Sequence, residues 1–202
     1  MRSATTCKTC RRLGTSVCGR EKCALKRKPY PPGIHGKSYR RGLSEFGTQL
    51  KEKQKVKFLY GLREKQFKNY VASAVSQHKI PTGDALVSFL ELRLDNTVYR
   101  LGFAPTRAAA RQMVSHGHVF VNGKRANIPS FSLKAGMEVQ VRPTSLGKAL
   151  FANIGSTLKK YNPPEWLELD KANLKGKIIA QPSVAELVKA YNTSVIVEYY
   201  SR

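Results

Sequence analysis

The sequence predicts an α+β protein in which a small antiparallel sheet is joined to helices. Most of this prediction comes from the stretch Arg93–Arg125, whose pattern gives a helix, a tight turn at Leu101–Phe103, a second helix and a β-hairpin. The hydroxyl of Thr106 can cap the second helix, and Asn122-Gly123 after three apolar residues is a strong hairpin signal. The run Met137–Val141 alternates apolar and polar residues, so we expect it to complete the sheet.

Positive charge is the second feature. The 202 residues include 36 Lys and Arg against 13 Asp and Glu, which leaves a net charge of +23 at pH 7. A free protein with this excess repels itself, so we expect a polyanionic partner. No apolar run approaches the roughly 20 residues that span a bilayer, and the N-terminus lacks the apolar segment of a secretion signal. The composition therefore favours nucleic acid in the cytoplasm over a membrane surface.

Basic side chains cluster on the predicted helix–hairpin stretch. They are Arg93, Arg100, Arg107, Arg111, Lys124 and Arg125. Arg107 and Arg111 are four positions apart, so they share one helix face. Guanidinium groups on a rigid helix suit bidentate contacts with phosphate. The alternative interpretation is the solvated face of an ordinary small domain.

The four cysteines lie close together near the N-terminus, at Cys7, Cys10, Cys18 and Cys23. A C-x2-C pair places two thiolates on one tight turn, and a second pair completes a tetrahedral set for zinc. Two disulfides or four idle thiols are the alternatives, and disulfides are disfavoured in a reducing cytosol. Four protein ligands leave no open coordination position, so such an ion would be structural rather than catalytic.

The segment from 26 to 41 contains three prolines and two glycines, which exclude a long helix or a central strand. Its basic residues alternate with Tyr30, His35 and Tyr39, a composition that suits an RNA backbone with occasional unstacked bases. We therefore expect an extended segment that is bound along its partner and disordered when free.

Three helices are predicted before the helix–hairpin stretch. The first begins at Ser44 and is broken at Gly61, the second covers about Arg63 to His78, and the third begins near Thr82. On the first helix we expect a buried side formed by Leu50, Val56, Leu59 and Tyr60. Its other sides should carry Lys51, Lys53, Lys55 and Lys57.

The C-terminal third gives weaker signals. Ser145–Tyr161 is predicted to be helical until Pro163-Pro164, with a buried stripe formed by Leu150, Phe151, Ile154 and Leu158. Trp166–Asp170 is strand-like. Thr193–Tyr200 has high β-propensity, which predicts a strand without indicating its partner.

The chain resembles the bacterial-type family of small-subunit ribosomal protein S4. The matching segments, in the family's order, are Lys28–Gly36, Lys51–Lys55, Tyr60–Phe67, Trp166–Asp170 and Val197–Arg202. The helix–hairpin stretch is similar to the S4 RNA-binding domain, which also occurs in some RNA-modifying enzymes and one class of tRNA synthetase. The resemblance runs from about Cys7 to the last residue.

The resemblance implies a zinc-knuckle N-terminal arm, a small helical domain and an inserted S4-type RNA-binding domain of two helices with a β-hairpin or small antiparallel sheet. We expect the arm and a Pro/Gly linker at 1–43 and the helical domain at 44–91, completed by about 171–202. The RNA-binding domain with a helical extension is expected at 92–170. One Zn²⁺ is expected on the four cysteines, although the gap from Cys10 to Cys18 is shorter than in zinc-bearing relatives, so the loop must close tightly.

The resemblance also implies a non-enzymatic constituent of the small ribosomal subunit in the cytoplasm. Such a protein binds a multi-helix junction in the 5′ domain of 16S rRNA, nucleates 30S assembly and affects translational accuracy. It neighbours proteins S3 and S5 and the channel through which mRNA enters, with no membrane contact and no homo-oligomer. The residues expected to face the mRNA are Lys37, Arg40 and Arg41. RNA contacts are expected from Arg93, Asn96, Arg100, Thr106, Arg107, Arg111, Gln112, His116, His118, Asn122, Lys124 and Arg125, and from Lys51, Lys53, Lys55 and Arg63.

Two other classes of protein fit less of the sequence. The four histidines are scattered and none lies in a recognisable nucleophile arrangement, and an RNA-modifying enzyme would need a catalytic domain for which the chain has no room. A zinc-dependent DNA-binding regulator would need a recognition helix and a dimerisation seam, and neither is apparent. The function expected is therefore affinity for phosphates together with a fit to RNA shape.

Overall fold

The computed structural model describes residues 6–38, 42–152, 154–159, 161–182 and 191–201. They belong to two compact units. The helical unit comprises Met1–Val87 and Val184–Arg202, and the sheet unit comprises Ser88–Ser183. The α+β prediction is confirmed. Among the described residues, no helix combines the length and the apolar composition that crossing a bilayer requires.

Eight α-helices and five strands form the described part of the chain. The helices are α1 (Cys7–Leu13), α2 (Glu45–Leu59), α3 (Glu64–Val75), α4 (Thr82–Glu91), α5 (Leu94–Arg100), α6 (Arg107–Ser115), α7 (Ile154–Lys159) and α8 (Thr193–Ser201). The strands are β1 (Val119–Val121), β2 (Lys124–Ala126), β3 (Glu138–Val141), β4 (Leu167–Asp170) and β5 (Lys175–Ile178). Short 3₁₀ helices occupy Ile34–Lys37, Pro143–Ser145 and Ala149–Phe151.

Helix α2 begins and ends where the sequence predicts. The Ser44 hydroxyl accepts a hydrogen bond from the N–H of Gly47 at 3.2 Å, and Gly61 ends the helix with φ of +61°. This left-handed conformation suits glycine, which has no Cβ to clash with the backbone. Helix α3 is confirmed as well, with Phe67, Val71 and Ala74 buried.

The buried side of α2 differs from the predicted one. Val56 and Tyr60 are buried as expected, but Lys53 and Lys57 are buried too, although we expected them on the outer sides. The cause is Glu64 of α3, whose carboxylate accepts a hydrogen bond from each ammonium group, at 2.6 and 2.8 Å. An ion pair makes the burial of an amphipathic lysine tolerable.

The prediction of a strand at Thr193–Tyr200 is wrong, because this segment forms α8. The side chain of Asn192 caps the helix by accepting from the N–H of Val195 at 3.3 Å. Ile196 is fully buried, and Tyr199 and Tyr200 contact the aromatic rings of α2 and α3. Tertiary packing therefore outweighs the β-propensity of the valines and tyrosines.

The sheet unit contains the predicted turn, helices and hairpin. The N–H of Ala109 donates to the Thr106 hydroxyl at 3.2 Å, which confirms the N-cap of α6. Asn122 and Gly123 have φ of +48° and +78°, as the two-residue turn between β1 and β2 requires. The five strands are all antiparallel in the order β2-β1-β3-β5-β4, and α5, α6 and the sheet enclose one apolar core.

Two parts of this unit depart from prediction. Residues 145–161 are not one helix, since the chain forms two 3₁₀ turns before α7, and Leu150 is exposed while Phe151 and Leu158 are buried. Strand β5 was not predicted, because its sequence, Lys-Gly-Lys-Ile, carries little apolar signal. It lies between β3 and β4, where Gly176 lets the side chain of Leu101 approach its backbone. The sheet unit therefore extends past 170.

Candidate nucleic-acid interface and metal centre

The four cysteines come together in the helical unit as free thiols. The sulfur atoms of Cys7, Cys18 and Cys23 lie within 4.8 Å of one another. Sulfurs bound to one tetrahedral Zn²⁺ are roughly 3.8 Å apart, given a Zn–S distance of about 2.3 Å. Cys10 is fully buried, and its sulfur accepts a hydrogen bond from the N–H of Val17 at 3.4 Å. Three sulfurs are therefore grouped at a spacing that could hold a metal ion, and Cys10, which packs beside them outside this group, is the candidate fourth ligand.

The cysteine thiols influence one another. Burial raises the pKa of Cys10 to about 12, with a contribution from the neighbouring Cys18. Burial acts in the same direction on Cys23, but hydrogen bonds from the Leu25 N–H, Ser16 and the other cysteines lower its pKa to about 7. A zinc ion at this position would displace the remaining thiol protons, because cysteine binds zinc as the thiolate.

Next to the cysteines, α1 holds the basic proline-rich segment through one side chain. The Arg11 guanidinium donates to the carbonyl oxygens of Lys28, Tyr30 and Pro31 at 3.2, 2.9 and 3.1 Å. Its central carbon also lies 4.8 Å from the centre of the Tyr30 ring, and the Lys37 ammonium lies 5.4 Å from the same ring. The prediction of an extended segment is therefore wrong for its described residues, which fold back onto α1 and include the 3₁₀ helix Ile34–Lys37. Its disorder in the free chain stays a prediction.

Of the three residues expected to face mRNA, Lys37 is exposed at the end of the 3₁₀ helix Ile34–Lys37. Arg40 and Arg41 lie outside the described residues. Of the residues expected to contact RNA from the helical unit, Arg63 is exposed and Lys51 and Lys55 are half-buried, whereas Lys53 is only 4% exposed.

In the sheet unit, a buried carboxylate gathers the arginines of α5 and α6. The Glu91 side chain is inaccessible to solvent, and both of its oxygens accept from Arg100, with Nε and Nη2 at 2.9 Å. The amide nitrogen of Asn96 donates to the same carboxylate at 2.7 Å, and Nη2 of Arg107 lies 3.9 Å from it. Arg107 also donates to Oδ1 of Asn96 at 2.8 Å and lies over the ring of Tyr99 at 4.5 Å.

A second carboxylate, Asp95, binds the other two arginines. Arg93 is 1% exposed and donates to both oxygens of Asp95, at 3.0 and 2.7 Å. Nη1 of Arg111 lies 3.8 Å from Oδ2 of Asp95, and this side chain is 38% exposed. Arg93 and Asn96 therefore lie inside the unit, while Arg100, Arg107 and Arg111 reach its surface.

The hairpin and the end of α6 carry the remaining expected residues. Lys124 and Arg125 are exposed on β2, and Gln112 and His116 are exposed on and just after α6. The side chain of Asn122 accepts from the N–H of Glu138 at 2.8 Å, so it joins the turn to β3. Thr106 is occupied as a helix cap.

His118 is buried, unlike the exposed His116. Its Nδ1 lies 2.9 Å from the Ser145 hydroxyl, and its ring contacts Phe151 edge-on. Burial lowers the pKa of His118, and the nearby Lys148 and other cations lower it further. Its neutral ring supports the packing beneath the surface.

Sequence reasoning missed Glu91 and Asp95, the two carboxylates that hold the arginines. A hint was present, since both are acidic residues in the mostly apolar run from 85 to 98 of a strongly basic chain. Acidic side chains in such a run are buried only when they are paired.

The chain is similar to known proteins along nearly its whole length. Residues 2–91 match a family described as the Ribosomal protein S4/S9 N-terminal domain, and residues 92–139 match the S4 domain. The small ribosomal subunit protein uS4 of Chlorobaculum tepidum is 46% identical over 195 residues, which cover 96% of each chain. That of Chloroflexus aurantiacus is 46% identical over 198 residues, also 96% of each chain. That of Syntrophomonas wolfei is 45% identical over 202 residues, which cover 97% of this chain and 96% of the relative.

Proposed function

Because the chain belongs to the S4 family of small-subunit ribosomal proteins, we propose that it binds a multi-helix junction in the 5′ domain of 16S rRNA and nucleates 30S assembly. Membership makes it a structural constituent of the small subunit rather than an enzyme. Its place is then in the ribosome, in the cytoplasm.

The observation that carries this proposal is the arginine surface of the sheet unit. We define the arginine surface as Arg100, Arg107 and Arg111, whose guanidinium groups are held by buried carboxylates yet reach solvent. These three guanidinium groups and the buried Arg93 gather around the carboxylates of Glu91 and Asp95, which concentrates positive charge at this part of the sheet unit. Guanidinium groups that are already oriented suit a fixed arrangement of phosphates, such as a folded junction.

RNA binding then has two components. Lys and Arg displace counterions from phosphates, which makes the affinity depend on salt. Selectivity comes from shape, because side chains cannot read the narrow major groove of A-form RNA. Within the sheet unit we propose contacts from the arginine surface and from the exposed Gln112, His116, Lys124 and Arg125. The buried Arg93, Asn96 and His118 support these contacts rather than make them.

The helical unit supplies a second set of contacts in this proposal. Lys51, Lys55 and Arg63 are at least partly accessible and are assigned to RNA, whereas Lys53 is assigned to the ion pair with Glu64. We propose that residues 1–43 act as an arm, that α2, α3 and α8 form the helical domain, and that the sheet unit acts as the RNA-binding domain.

We further propose one structural Zn²⁺ held by Cys7, Cys10, Cys18 and Cys23. A bound zinc ion supplies a tetrahedral cross-link between the two cysteine pairs. The chain's own contribution is the N–H of Val17, which donates to Cys10, and the Arg11 contacts that fix the adjacent segment.

The mRNA channel is the finer part of the proposal. We assign Lys37, Arg40 and Arg41 to the channel through which mRNA enters, with proteins S3 and S5 as neighbours and an effect on translational accuracy. Support comes from the exposure of Lys37 on a segment that Arg11 holds in place.

A filter-binding titration of the full chain tests the central proposal. The RNAs are the 16S 5′ domain and random duplex of equal length, each measured at several salt concentrations. We expect a preference of about a hundredfold or more for the 5′ domain, with both affinities falling as salt rises. Equal affinity for the two RNAs would reject the proposal.

A further inference from the structure

We infer that Glu91 is a positioning residue for RNA recognition, whose buried carboxylate sets where the guanidinium groups of Arg100 and Arg107 lie on the surface. The inference rests on the proposed rRNA-binding function and deepens it. Glu91 is itself anionic and too deeply buried to touch RNA. Its role in binding the anionic partner is therefore indirect.

The contacts of Glu91 constrain the orientation of both arginines. Arg100 donates Nε to one carboxylate oxygen and Nη2 to the other, each at 2.9 Å, while its side chain stays 24% exposed. This two-point contact fixes the plane of the guanidinium group as well as its position. The remaining edge of the group is thereby directed away from the buried carboxylate.

Arg107 is held less directly. Its Nη2 lies 3.9 Å from Oε1 of Glu91, and its Nε donates to Oδ1 of Asn96 at 2.8 Å. The amide nitrogen of Asn96 donates in turn to the carboxylate and to the backbone carbonyl of Glu91, at 2.7 and 3.0 Å. Asn96 is only 2% exposed, so Glu91 orients its amide and the amide orients Arg107.

A structural role alone gives little reason for a carboxylate at this position. A buried ion pair generally stabilises a fold no more than apolar residues of similar volume, because both charges lose their hydration. In a chain of net charge +23 that binds a polyanion, the negative charge also weakens long-range attraction to RNA. Fixing guanidinium groups before binding offsets both costs, since less side-chain freedom is lost when RNA binds.

The direction in which RNA affinity changes distinguishes a positioning role of Glu91 from an effect of its charge. Glu91→Gln keeps the shape of the side chain and raises the net charge by one. If charge alone matters, this variant binds RNA at least as tightly as the wild-type chain. If positioning matters, it binds the 5′ domain more weakly, because the new amide N–H₂ faces guanidinium donors and displaces one of them.

The experiment uses filter binding with the full chain, the 16S 5′ domain and random duplex of equal length. The matched control is Glu168→Gln, which makes the same charge change at an exposed position of β4 in the same unit. We expect Glu91→Gln to lose about tenfold in affinity for the 5′ domain and to keep its affinity for random duplex. Glu168→Gln should bind both RNAs as the wild-type chain does or slightly more tightly.

A second variant covers the case in which Glu91→Gln fails to fold, as circular dichroism would report. Glu91→Asp keeps the charge but shortens the side chain by one methylene, so its carboxylate cannot hold Arg100 and Asn96 at their present distances together. About tenfold weaker binding to the 5′ domain alone supports the inference. The inference is overturned if a folded variant binds the 5′ domain as tightly as the wild-type chain does. It is also overturned if the variant loses the same affinity for both RNAs. Lack of preference in the wild-type chain would instead reject the proposed function itself.

Discussion

The ammonium nitrogen of Lys53 lies 2.6 Å from Oε1 of Glu64, which joins α2 to the start of α3. The same nitrogen lies 4.5 Å from the centre of the Tyr199 ring, and the Tyr200 hydroxyl donates to the same carboxylate oxygen at 2.7 Å. Lys57 donates to the other oxygen at 2.8 Å. One carboxylate therefore connects three helices of the helical unit.

This cluster predicts a pH dependence of stability. Partial burial raises the pKa of Glu64, but hydrogen bonds from Lys53, Lys57 and Tyr200 outweigh it and lower the pKa from 4.5 to about 2. A lowered folded-state pKa contributes stability above the unfolded-state value, and this stability is lost as pH falls from about 4.5 toward 2. We expect Glu64→Gln to reduce the free energy of unfolding at pH 7 by about 1 kcal/mol, since solvent screens a half-exposed carboxylate.

Urea unfolding of the full chain between pH 2 and pH 7 measures this effect. The difference between Glu64→Gln and the wild-type chain should shrink below pH 4.5 and become small near pH 2. Glu165→Gln, an exposed carboxylate outside the cluster, is the matched control and should change little at either pH. A difference of the same size at pH 2 and pH 7 would contradict the prediction.

The packing of α8 predicts a large effect at one aliphatic position. Ile196 is fully buried, so Ile196→Ala removes buried methyl groups and leaves a cavity. We expect a loss of about 3 kcal/mol in the free energy of unfolding. Val75→Ala, at a side chain that is 48% exposed on α3, should cost less than about 1 kcal/mol. Similar losses in the two variants would mean that α8 is not packed as described.

The contrast between α8 and the central elements shows what sequence alone can predict. Helix α6 and the β1–β2 hairpin have local signals, namely the Thr106 cap and the Asn122-Gly123 turn, and both were predicted correctly. Helix α8 and strand β5 depend on partners that are distant in sequence. Local sequence does not encode the contact of Tyr200 with Glu64 or the pairing of Gly176 with Val139. Local propensity therefore predicted a strand where α8 forms, and it gave no prediction for β5.

A comparison of Gly102 with Gly123 distinguishes the cost of backbone strain from the cost of a side-chain clash. Gly102 and Gly123 both have φ of +78°, so an alanine at either position meets the same left-handed strain of about 1–2 kcal/mol. At Gly102, a Cβ would lie 2.8 Å from the Tyr161 ring and 3.0 Å from Leu158, whereas nothing lies within 4 Å at Gly123. We expect Gly102→Ala to cost about 1–3 kcal/mol more than Gly123→Ala in urea unfolding. Equal costs would show that the Tyr161 ring moves freely away.

We expect the loss of two positive charges to weaken RNA binding more on the arginine surface than on α2. Replacing Arg107 and Arg111 by alanine should weaken binding to the 16S 5′ domain by about 2 kcal/mol or more, measured by filter binding. The matched control is Lys51→Ala with Lys55→Ala, which removes the same charge from α2. It should cost less, because a lysine ammonium group meets phosphate as a point charge without the planar fork of a guanidinium group, and Lys55 is already paired with Glu52. Lys53 and Lys57 are unsuitable controls, since both are buried. Equal losses in the two double variants would reject the special role of the arginine surface.

The sequence predicted which residue types form the candidate site, but it did not predict which of them are buried or paired. Sequence spacing places Arg107 and Arg111 on one face of α6, and the structure agrees. Spacing could not indicate that Arg93 points inward to Asp95, or that Lys53 turns toward Glu64, because each carboxylate partner is selected by tertiary packing. In a basic chain, the few acidic residues decide which cations stay at the surface.

The cysteine cluster predicts that the N-terminal segment depends on metal. Helix α1 has seven residues, and isolated helices shorter than about 12 residues are marginal in water. Without a metal cross-link, α1 should melt and Arg11 should release the carbonyl oxygens of Lys28 and Tyr30. Protein purified without chelator should contain about one zinc ion per chain by elemental analysis. Cys7→Ser with Cys10→Ser should contain none.

Limited trypsin digestion then reports the structural consequence. Cleavage after Lys26 and Arg27 should accelerate at least about tenfold in the double serine variant and in chelator-treated protein, because released segments are cut in proportion to the population of their open form. Lys8→Ser is the matched control, since it changes an exposed residue of α1 between the two cysteines and spares all four thiols. It should retain zinc and its resistance to trypsin. Retained resistance in the metal-free double variant would mean that Arg11 and the packing around Val17 hold the segment without a metal ion.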